Sequence, residues 1–229
     1  FVGGRLYFGS DDGFVYCLKA SDGSLVWQRR LGPSNERVLG HGRMISLWPV
    51  RTGVIVDEGI VYCTAGIFPG ERVYICALKA EDGTPVWTND TVDDQSGGTG
   101  NVSPQGYLLA SKTQLYVPSG RSLPASFDRG DGKFLYQRSD GRWPYGVVGG
   151  TYALLAGDQL YGGTGQILSY EQQTGKQQFA WFPGKRLLVT PTTSYMLNDA
   201  GITALDRVKY PEASKQVTDA KFKRAKIVA

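Results

Sequence analysis

The strongest constraint on this chain is an internal repeat. Residues 4–30 and 59–90 share a ten-residue block, LKASDGSLVW in the first and LKAEDGTPVW in the second, that is identical at seven positions. Weaker copies occupy residues 113–140, 158–184 and 192–207, and the last of them is cut short. A repeat of this length is one supersecondary unit that buries its apolar surface by stacking on its neighbours. The repeat therefore predicts a series of similar small sheets.

Each copy has the same order of parts, beginning with an apolar strand that contains a tyrosine, then a turn and a second strand. These tyrosines are Tyr7, Tyr62, Tyr116, Tyr161 and Tyr195. In the first four copies a turn with glycine follows, where a hairpin needs a positive φ. These glycines are Gly23, Gly83, Gly132 and Gly175. Large aromatic residues come next, and we expect them to pack between adjacent sheets. They are Trp27, Trp87, Tyr136 and Trp181.

The pattern of Leu-Tyr, Gly-Ser-Asp-Asp-Gly, Tyr-x-Leu, Asp-Gly and Trp resembles the quinoprotein-like (pyrroloquinoline quinone, PQQ) β-propeller repeat over residues 1–207. The Asp-Gly turn followed by Trp also resembles the tryptophan-docking motif of quinoprotein alcohol dehydrogenases. The resemblance implies an all-β propeller of four-stranded antiparallel blades, with about five blades present out of a ring of about seven or eight. First strands are expected near 54–56, 107–110, 152–156 and 187–190. The first blade then lacks its first strand and the last blade its fourth.

The positive charge of the chain is confined to its end. Of the 25 basic and 21 acidic residues, seven and three lie within residues 206–229, which leaves 18 of each in the rest. A balanced body gives no electrostatic reason to expect a nucleic-acid partner. We expect residues 208–229 to form a separate basic segment with a helix from Pro211, because it lacks glycine and is rich in Ala and Lys. It is either a docking arm for an acidic partner or an insertion leading into further blades. No apolar run is long enough for membrane insertion.

Propeller geometry places the second-to-third strand turns and the connections between blades on one face, which is named here the long-loop face. The long loops are residues 31–52, 66–73, 91–105, 118–125 and 137–150. The candidate ligand-binding residues of this face are Arg43, Trp48, Arg51, Arg121 and Trp143. Arginines and an aromatic platform suit an anion or a quinone carboxylate. The alternative is that Trp48 packs its loop down and the arginines are solvated. His41 is a lone histidine with no triad-like context.

Metal and thiol chemistry have weaker support. Five oxygen-bearing residues of the segment 89–106 suit Ca²⁺, but their spacing does not match a DxDxDG loop, and the glycines there also fit a flexible connection. They are Asp90, Asp93, Asp94, Gln95 and Asn101. Three cysteines without CxxC spacing do not predict zinc. Cys63 and Cys76 fall opposite each other in one hairpin, which leaves either a cross-strand disulfide or two buried thiols.

The resemblance implies two functions. The first is a non-catalytic scaffold that binds a protein partner or a small ligand on the long-loop face, similar to the propeller of the outer-membrane β-barrel assembly machinery. The second is part of a PQQ- and Ca²⁺-dependent dehydrogenase whose catalytic residues lie largely in further blades. The adjacent cysteine pair of those dehydrogenases is absent, so no catalytic or metal-binding residue is assigned. The resemblance also implies a periplasmic or cell-envelope location, and the remaining blades of a longer chain as neighbours.

Overall fold

The computed structural model describes residues 1–40, 42–67, 69–91, 102–119, 124–137, 152–163, 166–210 and 212, without the side chains of residues 69, 166 and 177–183. Regular structure within these ranges consists of β-strands, one 3₁₀ turn at Pro69–Glu71 and helical backbone at Tyr210 and Glu212. Most of the strands form five successive small sheets, named here blades I to V, and the remaining strands form two two-stranded sheets in the connections.

Blade I has three strands, which are β1 (Arg5–Gly9), β2 (Phe14–Lys19) and β3 (Leu25–Arg30). The connection to blade II contains β4 (Arg37–Gly40), β5 (Arg43–Ser46) and β6 (Thr52–Gly53). Blade II is formed by β7 (Ile55–Asp57), β8 (Ile60–Ala65), β9 (Tyr74–Lys79) and β10 (Pro85–Asn89). The neighbouring strands within each blade are antiparallel.

Strand β11 (Gly106–Tyr107) precedes blade III, which is formed by β12 (Leu109–Ala110), β13 (Gln114–Val117), β14 (Ala125–Asp128) and β15 (Phe134–Gln137). Blade IV has β16 (Ala153–Ala156), β17 (Gln159–Gly162), β18 (Gln166–Glu171) and β19 (Gln177–Pro183). Blade V has β20 (Arg186–Val189), β21 (Thr193–Asn198) and β22 (Gly201–Asp206). The predicted all-β blades are confirmed, and within the described residues the first and last blades have three strands each.

The apolar core is divided into four parts, one between each pair of successive blades. Val15 and Cys17 of blade I pack with Val61 and Cys63 of blade II. The other three clusters join blades II and III, III and IV, and IV and V. Strands buried on both faces need apolar residues at consecutive positions, which explains runs such as Tyr74–Lys79. The blades are therefore held together by side-chain packing between sheets.

The connections between blades also touch each other. Strand β6 of the blade I–II connection pairs in parallel with β11 of the blade II–III connection. The hydroxyl groups of Thr52 and Thr64 lie 3.0 Å apart in the buried space beside β6. This pairing holds the two connections together on the long-loop face, immediately before the first strands of blades II and III begin.

The described part of the chain contains no helix long and apolar enough to cross a membrane. Tyr210 and Glu212 have helical backbone. Pro211 and residues 213–229 lie outside the described residues, so the terminal helix stays a prediction.

Candidate functional site

An aromatic ring of each blade docks on the glycine turn of the next blade. The indole of Trp27 lies over Gly83, where an added Cβ would fall 2.7 Å from its Cε3 atom. Its ring N–H donates to the carbonyl of Ala80 at 3.1 Å. Trp87 repeats both contacts, with Gly132 under the ring and the carbonyl of Arg129 as acceptor at 3.0 Å.

Tyr136 makes the third copy of this contact. Its ring lies over Gly175, and its hydroxyl donates to the carbonyl of Gln172 at 2.6 Å. In all three copies the acceptor carbonyl lies three residues before the glycine. The predicted interblade role of Trp27, Trp87 and Tyr136 thus has a specific geometry, a ring on a glycine and a polar hydrogen on a fixed carbonyl.

A β-bulge aims each of these rings. In blades I to III the register between the last two strands skips one residue immediately before the aromatic residue. A bulge turns the following side chain and increases the local twist. In blade IV the same skip precedes Phe179, which pairs with Ser169 as Trp27 pairs with Cys17.

By backbone register Phe179 occupies in blade IV the position that Trp27 occupies in blade I, and the role of Trp181 stays a prediction, because the side chains of residues 177–183 lie outside the described part of the structure. Phe179 lies five residues after Thr174, the same offset that separates Trp27 from Asp22, whereas Trp181 lies seven residues after it.

Two arginines that the sequence analysis did not select form a second type of interblade contact. Arg129 donates from Nε to the hydroxyl of Tyr62 at 2.8 Å, and its guanidinium lies 5.3 Å from the Tyr62 ring centre. Arg207 of blade V binds Tyr161 in the same way, at 3.0 Å and 5.9 Å. The repeated Asp-Arg pair at the end of β14 and β22 is the sequence signal for this contact.

The turn of blade I offers the same docking features, and no ring from the described ranges lies on them. Gly23 has φ of +73°, close to the +72° of Gly83, and nothing lies within 4 Å of a Cβ built on it. Leu25 beside it is 53% exposed. The face of blade I that points away from blade II is thus an open acceptor of the same kind.

The long-loop face brings two of the predicted ligand-binding residues together on Asp11. Arg51 donates from Nε to Oδ1 of Asp11 at 2.6 Å and from a terminal nitrogen to Oδ2 at 3.3 Å. Arg43 approaches Oδ2 at 3.5 Å. The Asp11 carboxylate compensates one of the two positive charges, which leaves a net charge of about +1 for an acidic ligand group.

Trp48 is placed inside the loop. Only 7% of the residue is exposed, its ring N–H donates to the carbonyl of Glu71 at 2.6 Å, and its ring meets that of Tyr74 edge-on at 6.3 Å. Gly32 lies under the ring, where a Cβ would fall 2.9 Å from it. These contacts support the packing alternative, since a ring buried on this scale is no stacking platform for a ligand.

The β4–β5 hairpin presents an exposed apolar pair on this face. Leu39 and Met44 are direct cross-strand partners, and they are 75% and 56% exposed. The hairpin is anchored at its base, where Ser46 donates its N–H to the carbonyl of Asp11 at 2.8 Å and Leu47 donates to that of Glu36 at 2.9 Å. Asp11 therefore holds the hairpin through both its backbone and its carboxylate.

The remaining candidates are only partly described. Arg121, Trp143, His41 and the acidic residues 93–94 lie outside the described residues, as do Gln95 and Asn101. Asp90 is described and pairs with Arg72 at 3.9 Å on the surface. No cluster of three His, Cys, Asp or Glu residues suited to a metal ion occurs within the described ranges.

The described residues of this face do not fit PQQ. A planar quinone needs an accessible aromatic platform beside its carboxylate clamp, but Trp48 is buried and Arg51 is already paired with Asp11. No step of a quinone reaction is therefore assigned to these residues.

Radial antiparallel blades with aromatic-on-glycine docking define a β-propeller of the PQQ-like repeat type. A family model described as "Outer membrane protein assembly factor BamB" matches residues 1–142. This match covers more than half of the 229 residues, and the chain belongs to that family. The search of curated proteins gave no match.

Solved structures agree on the fold. BamB from Moraxella catarrhalis is 16% identical with a TM-score of 0.57, over 90% of this chain and 55% of that one. A quinohemoprotein alcohol dehydrogenase from Comamonas testosteroni is 15% identical with a TM-score of 0.62, over 90% and 40%. A europium-containing methanol dehydrogenase has the same identity and TM-score, over 90% and 48%. The chain spans about half the length of these structures, and the likeness at such identity shows the fold alone.

Proposed function

We propose that this chain is part of a non-catalytic propeller of the cell envelope that holds a protein partner on its long-loop face. The observation that carries the proposal is the β4–β5 hairpin, because it presents an apolar pair to solvent on a two-stranded sheet that is paired with no blade among the described residues. Contiguous exposed apolar groups mark interaction sites in soluble proteins, and Leu39 and Met44 are adjacent across the two strands.

The hairpin combines apolar and basic groups in a small area. Leu39 and Met44 supply the apolar pair, and Arg37 and Arg43 lie on the same two strands. Arg43 is held only loosely, with 73% of its side chain exposed beside Asp11. A partner with an apolar residue flanked by Asp or Glu would bury the pair and bind the exposed guanidinium groups of Arg37 and Arg43.

The base of the hairpin is rigid enough to present these groups. The bidentate Arg51–Asp11 pair and the backbone hydrogen bond from Ser46 to Asp11 tie it to the first turn of blade I. Binding by a preorganised surface loses less conformational entropy than binding by a free loop.

The family and the location point the same way. The matching family is described as an outer membrane protein assembly factor, and we infer from it a periplasmic or cell-envelope location for this chain. We also infer further blades in the same protein, since Gly23 of blade I has the acceptor geometry of Gly83 with no ring on it. A nucleic-acid partner has no support from the charge of the blades.

The experiment that tests the proposal is site-specific photo-crosslinking. A photoreactive residue at Leu39 or at Met44 is expected to give a discrete adduct with a partner protein in cells. The same residue at Val86, which is 47% exposed on β10, is the matched control and is expected to give none. Adducts from Val86 and none from the hairpin would refute the proposal.

The alternative is a PQQ-dependent dehydrogenase, which the two dehydrogenase structures favour at the level of fold. A cofactor-binding and activity assay distinguishes this alternative from the scaffold proposal. Purified full-length protein incubated with PQQ and Ca²⁺ is expected to gain no quinone absorbance and no dye-linked alcohol oxidation. Stoichiometric quinone binding with alcohol oxidation would establish the alternative.

A further inference from the structure

Cys63 and Cys76 are direct partners in the register between β8 and β9. Both side chains lie in the core between blades I and II, with exposures of 0% and 1%, and the Sγ of Cys63 is 4.0 Å from the carbonyl oxygen of Cys76. All three cysteines of the chain are unbonded in this structure.

We propose that Cys63 and Cys76 form a cross-strand disulfide when the chain folds in the presence of a disulfide oxidant. In the balanced step, the two thiols lose two protons and two electrons and a sulfur–sulfur bond forms. The two protons and two electrons are taken up by a low-molecular-weight disulfide such as oxidised glutathione, which is reduced to two thiols. The exchange proceeds through a mixed disulfide.

The register selects this pair among the three cysteines. Side chains of direct cross-strand partners point to the same face with Cβ atoms about 4.5–5.5 Å apart, close to the roughly 3.5–4.5 Å that a disulfide needs. Cys17 has Trp27 as its register partner and belongs to the neighbouring blade. Stacked sheets lie about 10 Å apart, so a bond from Cys17 to either cysteine would have to draw two sheets together.

Burial determines when the bond forms. It raises the pKa of the Cys63 thiol well above its ordinary value and raises that of Cys76 to about 12. The reactive thiolates are therefore scarce once blades I and II have packed, and exchange takes place while the hairpin is still open. After packing, the same burial protects the bond from reductants.

The bond would fix the hairpin that seats Trp48. The β8–β9 loop carries the Glu71 carbonyl that accepts the Trp48 N–H, and Gly66 of the same loop donates to the carbonyl of Pro49 at 3.1 Å. A disulfide at the base of this loop restricts the unfolded chain and stabilises the blade that supports the long-loop face.

The test is oxidative refolding of the full chain. Reduced and denatured protein is refolded with reduced and oxidised glutathione, alkylated and mapped by peptide mass. We expect a 63–76 linkage, a mass loss of two hydrogens and one alkylated thiol at Cys17. The Cys17→Ser variant is the matched control and should keep the linkage, whereas Cys63→Ser should leave two free thiols.

The refolded protein should also unfold roughly 5–10 °C higher than the same protein kept reduced. Three free thiols in the refolded wild type, or a linkage that includes Cys17, would overturn the proposal. The wild-type mapping decides the question even where a variant fails to fold.

Discussion

Trp27 of one blade lies on Gly83 of the next and donates its ring N–H to the carbonyl three residues before that glycine. Trp87 and Tyr136 repeat the arrangement, so one contact joins four successive blades. The glycine and the bulge before the aromatic residue are both needed for it. The glycine has no Cβ to collide with the ring, and the bulge turns the ring toward the glycine.

Replacing Trp27 with Ala should lower the free energy of unfolding by about 3–5 kcal/mol, because a large buried ring and its hydrogen bond are lost together. Chemical denaturation measures this change. Tyr107→Ala is the control, since Tyr107 is 78% exposed, and it should change the free energy by about 0.5 kcal/mol or less. An unaltered midpoint for Trp27→Ala would contradict the docking role.

The pair Gly83→Ala and Gly23→Ala separates ring contact from backbone strain. Both glycines have nearly the same positive φ, so both variants bear a similar strain of about 1 kcal/mol. Gly83→Ala also places Cβ against Trp27, which should cost about 1–3 kcal/mol more in this chain. Equal midpoints for the two variants in thermal unfolding would show that the ring does not rest on Gly83.

Arg129→Met should destabilise the protein by about 2–3 kcal/mol, because Arg129 is buried and its partners lose a cation. Its side chain is 8% exposed and binds Asp57 at 2.6 Å, Tyr62 and the Ser111 carbonyl. Asp57 is half exposed, and the estimate is reduced for solvent screening. Lys185→Met, which removes a surface pair with Asp199, should have an effect of about 0.5 kcal/mol or less in the same urea titration.

Alkaline pH should weaken the first blade through Tyr16. The hydrogen bond from its hydroxyl to Asp12, at 2.6 Å, raises the pKa of Tyr16 to about 12, and burial adds to the shift. The unfolded chain releases this proton at a pKa of about 10, so the contribution is complete below pH 10 and is lost by about pH 12.

The tyrosinate absorbance reports this titration. In the Tyr16→Phe variant the absorbance titration should lose one phenol at its high-pH end. The loss of stability between pH 10 and 12 should also be smaller than in the wild type. A variant with the same titration curve and the same alkaline loss as the wild type would place the shifted phenol elsewhere.

The sequence by itself determined the repeat and therefore the fold. The features that carry the repeat are local. They are the strand tyrosines such as Tyr62, the glycine turns, and the five-residue offset from the residue before each glycine to Trp27, Trp87 and Tyr136. Strand periodicity and the φ that each turn requires set all of them. The tyrosine strand recurs in all five copies and the glycine turn in the first four, so they were readable without knowing which blade touches which. In blade IV the same offset leads to Phe179, which the backbone register places opposite Ser169.

Only the tertiary structure decided which loop residues meet. Asp11 lies about forty residues from Arg51 in sequence, and nothing local predicts that it binds Arg43 and Arg51 together. The burial of Trp48 likewise depends on Glu71 and Tyr74 of the next blade. Such contacts depend on how successive sheets stack and which connections then share a face, and the repeat pattern is the same whether a loop side chain packs inward or remains in solvent.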